Sequence, residues 1–225
     1  MSKVKLSSNT LNVLKNFSTI NSSILVREGN TLKTISVGEN AVAEYECEEM
    51  FPQTFGIYDL PQFLMGLTLF DRPELNFGND SYVNILSTSG GRSARYYFSS
   101  PDITLKAAPE REVKFPGADI QFKITQVEIE SLLKAASIYS LPDLTFITKG
   151  DTGSVEVILS DKEDDTANVY TQTLKADTTG EYELHMKVEN IRLCSGEYNV
   201  RISKQLITEW VHTSLPLKYY IALEP

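Results

Sequence analysis

Residue types able to carry chemistry are few in this chain, and their spacing does not suit a reaction. There are two cysteines, Cys47 and Cys194, and two histidines, His185 and His212. A zinc site needs four suitably spaced ligands, and neither cysteine belongs to a CxxC pair, so two reduced thiols are expected. There is no GxxxxGK[ST] phosphate loop and no GxSxG elbow. Ser87-Thr88-Ser89-Gly90-Gly91 is glycine-rich, but it sits between strand-like runs and predicts a hairpin turn. Glu48-Glu49 and Asp164-Asp165 could in principle hold Mg²⁺ or exchange protons. Adjacent acids without a third ligand are expected to be solvated loop residues. The chain therefore reads as a non-enzyme, with no cofactor and no metal.

Charge is the more informative chemistry. The 225 residues carry a formal net charge of -9, which taken alone argues against nucleic acid, because phosphates reward Lys and Arg. The distribution says more than the sum. Residues 1–27 hold Lys3, Lys5, Lys15 and Arg27 and no acid, whereas the acids gather in stretches such as Glu44–Glu49 and Asp161–Asp165. Such a chain can show two signs on two surfaces. Lys134 and Arg192 are candidates to join the basic one. Taken singly, Lys134 has an ordinary explanation, a surface pair with Glu130 at i,i+4.

The elements that must position these groups are mostly strands. Ser154–Ser160, Asn168–Leu174, Tyr182–Val188 and Tyr198–Ser203 are short β-prone runs, and the first half has similar ones separated by Gly78-Asn79-Asp80 and Gly90-Gly91. Four short segments have helical periodicity. In Ser8–Ser18, Leu11, Leu14 and Phe17 would face inward, with Asn9, Asn12 and Asn16 opposite. The second follows Asp59 as N-cap, with Pro61 in its first turn. The third opens on the capping box Thr125-Gln126-Val127-Glu128, with Ile129, Leu132, Leu133 and Ala136 inward. The fourth is brief, around Val188–Leu193, with Val188 and Ile191 inward. Trp210 falls in a late strand-like run. The opening decapeptide lacks an apolar core, so no secretion signal is expected. No apolar run is long enough to span a bilayer.

The order of elements repeats. Val4-Lys5-Leu6-Ser7 before the first helix matches Phe122-Lys123-Ile124-Thr125 before the third, about half a chain later. Ile103–Gly117, with two prolines and a charged centre, reads as an extended connector. The fold class expected is α+β: two similar domains, each a strand-rich sheet with short helices. Their bounds are 1–105 and 118–225, joined by a connector over 106–117. A β-rich viral structural or carbohydrate-binding module is the alternative, but it leaves the amphipathic helices without a purpose.

Particular motifs resemble a known family. Lys5-Leu6-Ser7 followed by Leu14-Lys15-Asn16-Phe17-Ser18-Thr19-Ile20-Asn21-Ser22 is similar to the N-terminal helix of the DNA sliding clamps of T-even-type bacteriophages. Ile57-Tyr58-Asp59-Leu60 with Phe63-Leu64 resembles their second-helix entry, and Tyr219–Glu224 their last strand. Leu217–Ala222 also resembles the closing strand of eukaryotic and archaeal clamps. The resemblance implies a DNA-clamp fold assembled into a homotrimeric ring in the cytoplasm of the infected bacterial host. The ring encircles double-stranded DNA regardless of sequence and tethers the replicative DNA polymerase as its processivity factor. An ATP-dependent clamp loader closes it, and relatives also serve late-transcription factors. By position, the resemblance implies a DNA-facing set of Lys5, Asn12, Lys15, Asn16, Lys134 and Arg192. It implies a subunit interface at Arg95, Tyr96, Tyr97, Phe98, Val169 and Thr171. A pocket for partner peptides would involve Leu105, Val113, Phe115, Tyr219, Ile221 and Leu223.

Overall fold

Alternation of apolar and polar residues sets most of the architecture. The computed structural model describes residues 2–100, 105–150, 153–178 and 180–225. It divides the chain into two compact units, Met1–Arg111 and Glu112–Pro225.

In the first unit, strand β1 (Ser2–Lys5) leads into helix α1 (Ser8–Ile20). Then follow β2 (Ile24–Val26), β3 (Gly29–Ile35), β4 (Ala41–Phe51) and β5 (Phe55–Ile57). Helix α2 (Leu60–Leu67) precedes β6 (Pro73–Phe77), β7 (Tyr82–Ser87) and β8 (Ser93–Tyr97). One sheet has the order β1-β6-β7-β8, and β3 pairs with β4 and β2 with β5, all antiparallel. Period-two burial is clearest in β4. Ala41, Ala43, Tyr45, Cys47, Glu49 and Phe51 are buried, while Glu46, Glu48 and Met50 are exposed. Glu48-Glu49 is thus a strand dipeptide with one side chain on each face, not a loop pair. The helices close the core with Val13, Leu14, Phe17, Leu60, Phe63, Leu64 and Leu67. Each such burial is worth about 1.5–3 kcal/mol. Phe55 anchors a cluster with Phe51, Phe77 and Phe98, at ring centroid distances of 5.9, 5.2 and 4.9 Å. Gly56 is required by close approach: a Cβ there would lie 2.5 Å from both the Ser99 carbonyl oxygen and Leu105 Cδ1.

The second unit repeats the opening. Strand β9 (Ile120–Ile124) leads into α3 (Gln126–Tyr139). Then come β10 (Asp143–Thr148), β11 (Ser154–Ser160), β12 (Tyr170–Thr178) and β13 (Tyr182–Lys187). Strands β14 (Tyr198–Ser203), β15 (Ile207–His212) and β16 (Leu217–Ala222) end it. Their order is β13-β10-β11-β12-β9-β14-β15-β16. Thr125 caps α3 through the full capping box, as Ser7 caps α1. The helical segment expected around Val188–Leu193 is a single 3₁₀ turn, Val188–Asn190, without a side-chain cap. With β-branched Val188 and Ile191 and no side-chain cap, it lacks what an α-helical nucleus needs. Ile191 nonetheless packs inward beside Ile129 and Leu132, and Trp210 closes the same core.

The expected connector is described from Leu105 onward; Ile103 and Thr104 lie outside the described residues. Its first part is pinned to the first unit. Arg27 Nη2 donates to the Ala108 carbonyl at 2.8 Å, and Asn21 Nδ2 donates to that of Lys106 at 3.1 Å. Among the described residues, no helix is long and apolar enough to cross a membrane.

Candidate nucleic-acid interface

Helix α1 begins where Ser7 Oγ accepts the Thr10 N–H at 3.2 Å. Below it, Glu49 of β4 accepts from the Ser7 N–H and from Thr10 Oγ1 at 2.6 Å. Burial alone would raise the Glu49 carboxyl, but the hydrogen bonds from Ser7 and Thr10 outweigh it and hold it below the usual range. The helix therefore buries Thr10, Val13, Leu14, Phe17 and Ile20. Leu11, expected inward, sits half-buried at the flank. The opposite side presents Asn9, Asn12 and Lys15 to solvent, with Asn16 half-exposed. Lys15 has no acid within ion-pair distance among the described residues.

In α3 the buried residues are Ile129, Leu132, Ala135 and Ala136, with Leu133 half-buried. Lys134 is exposed. The expected pair with Glu130 does not form, because Gln126 Nε2 donates to Glu130 Oε1 at 2.6 Å. Arg192 follows the 3₁₀ turn, exposed, with its Nε donating to the Glu189 carbonyl at 3.0 Å. Asn12, Lys15 and Asn16 thus share one helix face. Lys5 does not join them. It lies on β1, cross-strand from Glu74, with its Nζ 3.7 Å from Glu74 Oε2. Tyr96 meets α2 through an edge contact with Phe63 at 4.9 Å, so α2 covers the face carrying Tyr96, Val83 and Phe77. Lys3 and Lys5 project from the other face.

Two of the open sheet edges among the described residues carry the residues expected at a subunit joint. Strand β8 ends its sheet, and Arg95 and Tyr97 are exposed along it. Strand β12 pairs with β11 from Tyr170 to Lys175, but with β9 only from Ala176 to Thr178. Its first half therefore has one edge without a strand partner. Val169, just before it, is 62% exposed, and Thr171 is also exposed. Such edges invite pairing with another chain.

The residues expected around a peptide pocket differ in burial. Leu105, Val113 and Phe115 are half-buried, and the Arg201 guanidinium stands 4.8 Å over the Phe115 ring. Tyr219, Ile221 and Leu223 are buried. The Tyr219 hydroxyl accepts the Cys194 N–H at 3.0 Å, and burial pushes this phenol up.

Sequence reasoning missed Glu49, whose partners lie far away in the chain. It also missed Asp143, which is 1% exposed, accepts from Lys187 Nζ at 2.5 Å and receives the Lys162 N–H at 3.0 Å. The alternation of β4 was the available signal for Glu49. Among the described residues, no three His, Cys, Asp or Glu converge as metal ligands. Burial raises the Cys47 thiol to about 11, so it stays protonated and inert at neutral pH.

Comparison with known proteins agrees with this picture. A family model described as DNA polymerase processivity factor matches residues 5–97. The "Sliding clamp" of Vibrio phage KVP40 is 26% identical over 225 residues, covering 98% of this chain and 99% of that protein. The "Sliding clamp" of Escherichia phage RB69 is 28% identical over 204 residues, covering 88% and 87%. Among solved structures, the Proliferating Cellular Nuclear Antigen of Entamoeba histolytica superposes with a TM-score of 0.74 at 14% identity, covering 100% of this chain and 98% of that one. The helix-and-edge-strand plan, the family match in the first unit and the phage relatives agree: over nearly its whole length the chain is similar to phage sliding clamps, and over residues 5–97 to DNA polymerase processivity factors.

Proposed function

We propose that three copies of this chain close head to tail into a ring around duplex DNA and tether the replicative polymerase to its template. The observation that carries this reading is two open stretches of sheet edge, β8 in one unit and the first half of β12 in the other. Two different edges on one chain make a heterologous contact, and such contacts form a closed ring when the rotation between copies closes. Closure also removes both edges from solvent. Arg95, Tyr96, Tyr97 and Phe98 belong to one side of the joint, and Val169 and Thr171 to the other.

In this reading, Asn12, Lys15 and Asn16 of α1, with Lys134 and Arg192, face the DNA. Amides and cations give sequence-independent attraction to phosphates, which suits a protein held by encirclement rather than by tight binding. Leu105, Val113, Phe115, Tyr219, Ile221 and Leu223 are assigned to peptides of the polymerase and other partners, late-transcription factors among them. An ATP-dependent loader opens and closes the ring in the cytoplasm of the infected host.

The test is mass and topology together. Light scattering should give three times the 25.2 kDa subunit mass. Clamps loaded on nicked circular DNA should be retained and then lost on linearisation. A monomer at high micromolar concentration, or equal retention on linear DNA, overturns the reading.

A further inference from the structure

Apart from Arg95 and Tyr97 at its β8 end, which border the proposed joint, the outward face of the β1-β6-β7-β8 sheet has no role in the function above. Its cross-strand register sets side chains in rows. Lys3, Asn76, Asn84 and Arg95 form one row; Lys5, Glu74, Leu86 and Ser93 form the next; Tyr82 faces Tyr97 at the end. The first row crosses three strand spacings, about 14 Å. Across these rows stand three cations, Lys3, Lys5 and Arg95, and one acid, Glu74, on a chain of net charge -9. Both lysines pair with that single carboxylate, Lys3 at 2.6 Å and Lys5 at 3.7 Å. The adjoining turns add Asp80 and Arg92, and exposed Glu48 of β4 lines a groove with Lys3 and Lys5, so the local balance is only narrowly positive.

The aromatic end is organised. Arg95 Cζ lies 4.1 Å from the Tyr82 ring centre, and Arg95 Nη1 donates to the Tyr97 hydroxyl at 3.5 Å. The rings of Tyr82 and Tyr97 meet edge to face at 5.6 Å, and Tyr97 is 63% exposed. The guanidinium stacks on one ring and reaches the other's hydroxyl, so the cluster keeps a flat, cation-edged surface in water. Lys3 and the two Asn amides supply donors along the same row.

We propose that this face is a weak, sequence-independent platform for single-stranded DNA, separate from the helical surface assigned to the duplex. Cations and amides track the phosphates, and the Tyr82–Tyr97 end takes a splayed base by stacking. Such a combination of positive track and aromatic platform is what single strands recognise. Duplex DNA hides its base faces and cannot use the tyrosines, whereas charge complementarity favours any polyanion. Stacking is therefore the discriminating feature.

The experiment is fluorescence anisotropy of a labelled oligothymidylate with the full-length protein, across a salt series. Tyr82→Ala should weaken binding roughly tenfold, and Lys3→Glu should weaken it and flatten its salt dependence. Lys204→Ala, an exposed lysine of the second unit, should leave it unchanged. Circular dichroism and particle mass check that each variant is folded and assembled. Because Tyr82 is half-buried, Tyr82→Phe serves as the conservative rescue and should bind as the parent does. Loss of binding in Lys15→Ala with none in Tyr82→Ala would place the strand on the helices and overturn the proposal. Equal displacement by a polyglutamate peptide of matched charge would also overturn it, by showing charge attraction without stacking. Particle mass is read on every variant, so a failure here is separable from a failure of the ring.

Discussion

Glu49 and Thr10 lie 39 positions apart in sequence, yet Thr10 Oγ1 donates to Glu49 Oε2 at 2.6 Å in the interior of the first unit. The carboxylate also takes the Ser7 N–H. A strand residue thus completes the start of the helix that carries Lys15. Thr10→Val keeps the shape and removes the donor, leaving a buried carboxylate short of one partner. We expect a loss of about 1–3 kcal/mol, read as a lower midpoint in urea unfolding with an unchanged slope.

The same carboxylate gives a pH dependence. Its folded pKa is held below the ordinary 4.5, so its contribution is present above that value and is lost as pH falls through the lower, folded pKa. Stability should be flat near neutrality and decline below about pH 4.5. Glu49→Gln should reduce that acid dependence as well as neutral stability. Parallel acid curves for parent and variant would remove Glu49 as the source.

Lys15→Ala combined with Lys134→Ala should weaken duplex contact while the particle mass stays constant. Two lost phosphate contacts lower the slope of log K against log salt by about 1.8. Filter binding or anisotropy over a salt series reads this, and an unchanged slope would take both residues off the DNA surface.

Val169→Glu puts a charge on an exposed position beside the open edge of β12. The monomer should fold normally, because the residue is 62% exposed. Assembly should require at least about tenfold higher concentration, corresponding to roughly 1.4 kcal/mol. Sedimentation equilibrium measures it, and an unaltered association constant would place the joint elsewhere.

Gly196→Ala tests the turn before β14. Gly196 has φ +149°, and a Cβ would sit 2.1 Å from His212 Nε2. That nitrogen bonds the Ser195 carbonyl at 3.1 Å, while His212 Nδ1 receives the Ser214 and Leu215 N–H groups, also at 3.1 Å. The ring is held from both sides and cannot step away. A destabilisation of about 2–3 kcal/mol is expected from strain and crowding together. Thermal unfolding at parent-like stability would contradict it.

Local signals made much of the fold legible. Asp59 with Pro61, and the Thr125–Glu128 box, specified two helix starts that the structure contains. The repeated strand-to-helix entry put Ser7 and Thr125 in the same capping role. What was not legible depended on distant partners. Thr10 reads as a polar surface residue until Glu49 is brought beneath it, and that pairing turns the buried face of α1 away from Leu11. Glu48-Glu49 reads as a loop pair until the period of β4 separates them. Lys134 and Glu130 read as a pair, but Gln126, also four positions away from Glu130, takes the carboxylate instead. For Val188–Asn190 the apolar spacing was correct, but nothing in the segment nucleates an α-helix.

Among the described residues, all three α-helix starts are already occupied by this chain's own oxygens. Ser7 and Glu49 hold the first, Asp59 accepts the Gln62 N–H at 2.8 Å in the second, and Thr125 with Glu128 closes the third. Helix beginnings are where proteins ordinarily grip phosphate. Here each is plugged, with a carboxylate beside it. In the ring proposed above, a backbone phosphate moving past would find no rigid cradle to settle into, only pliant side chains that release as readily as they touch. Friction along the helix axis of DNA would thereby be kept low by the same bonds that hold the protein together.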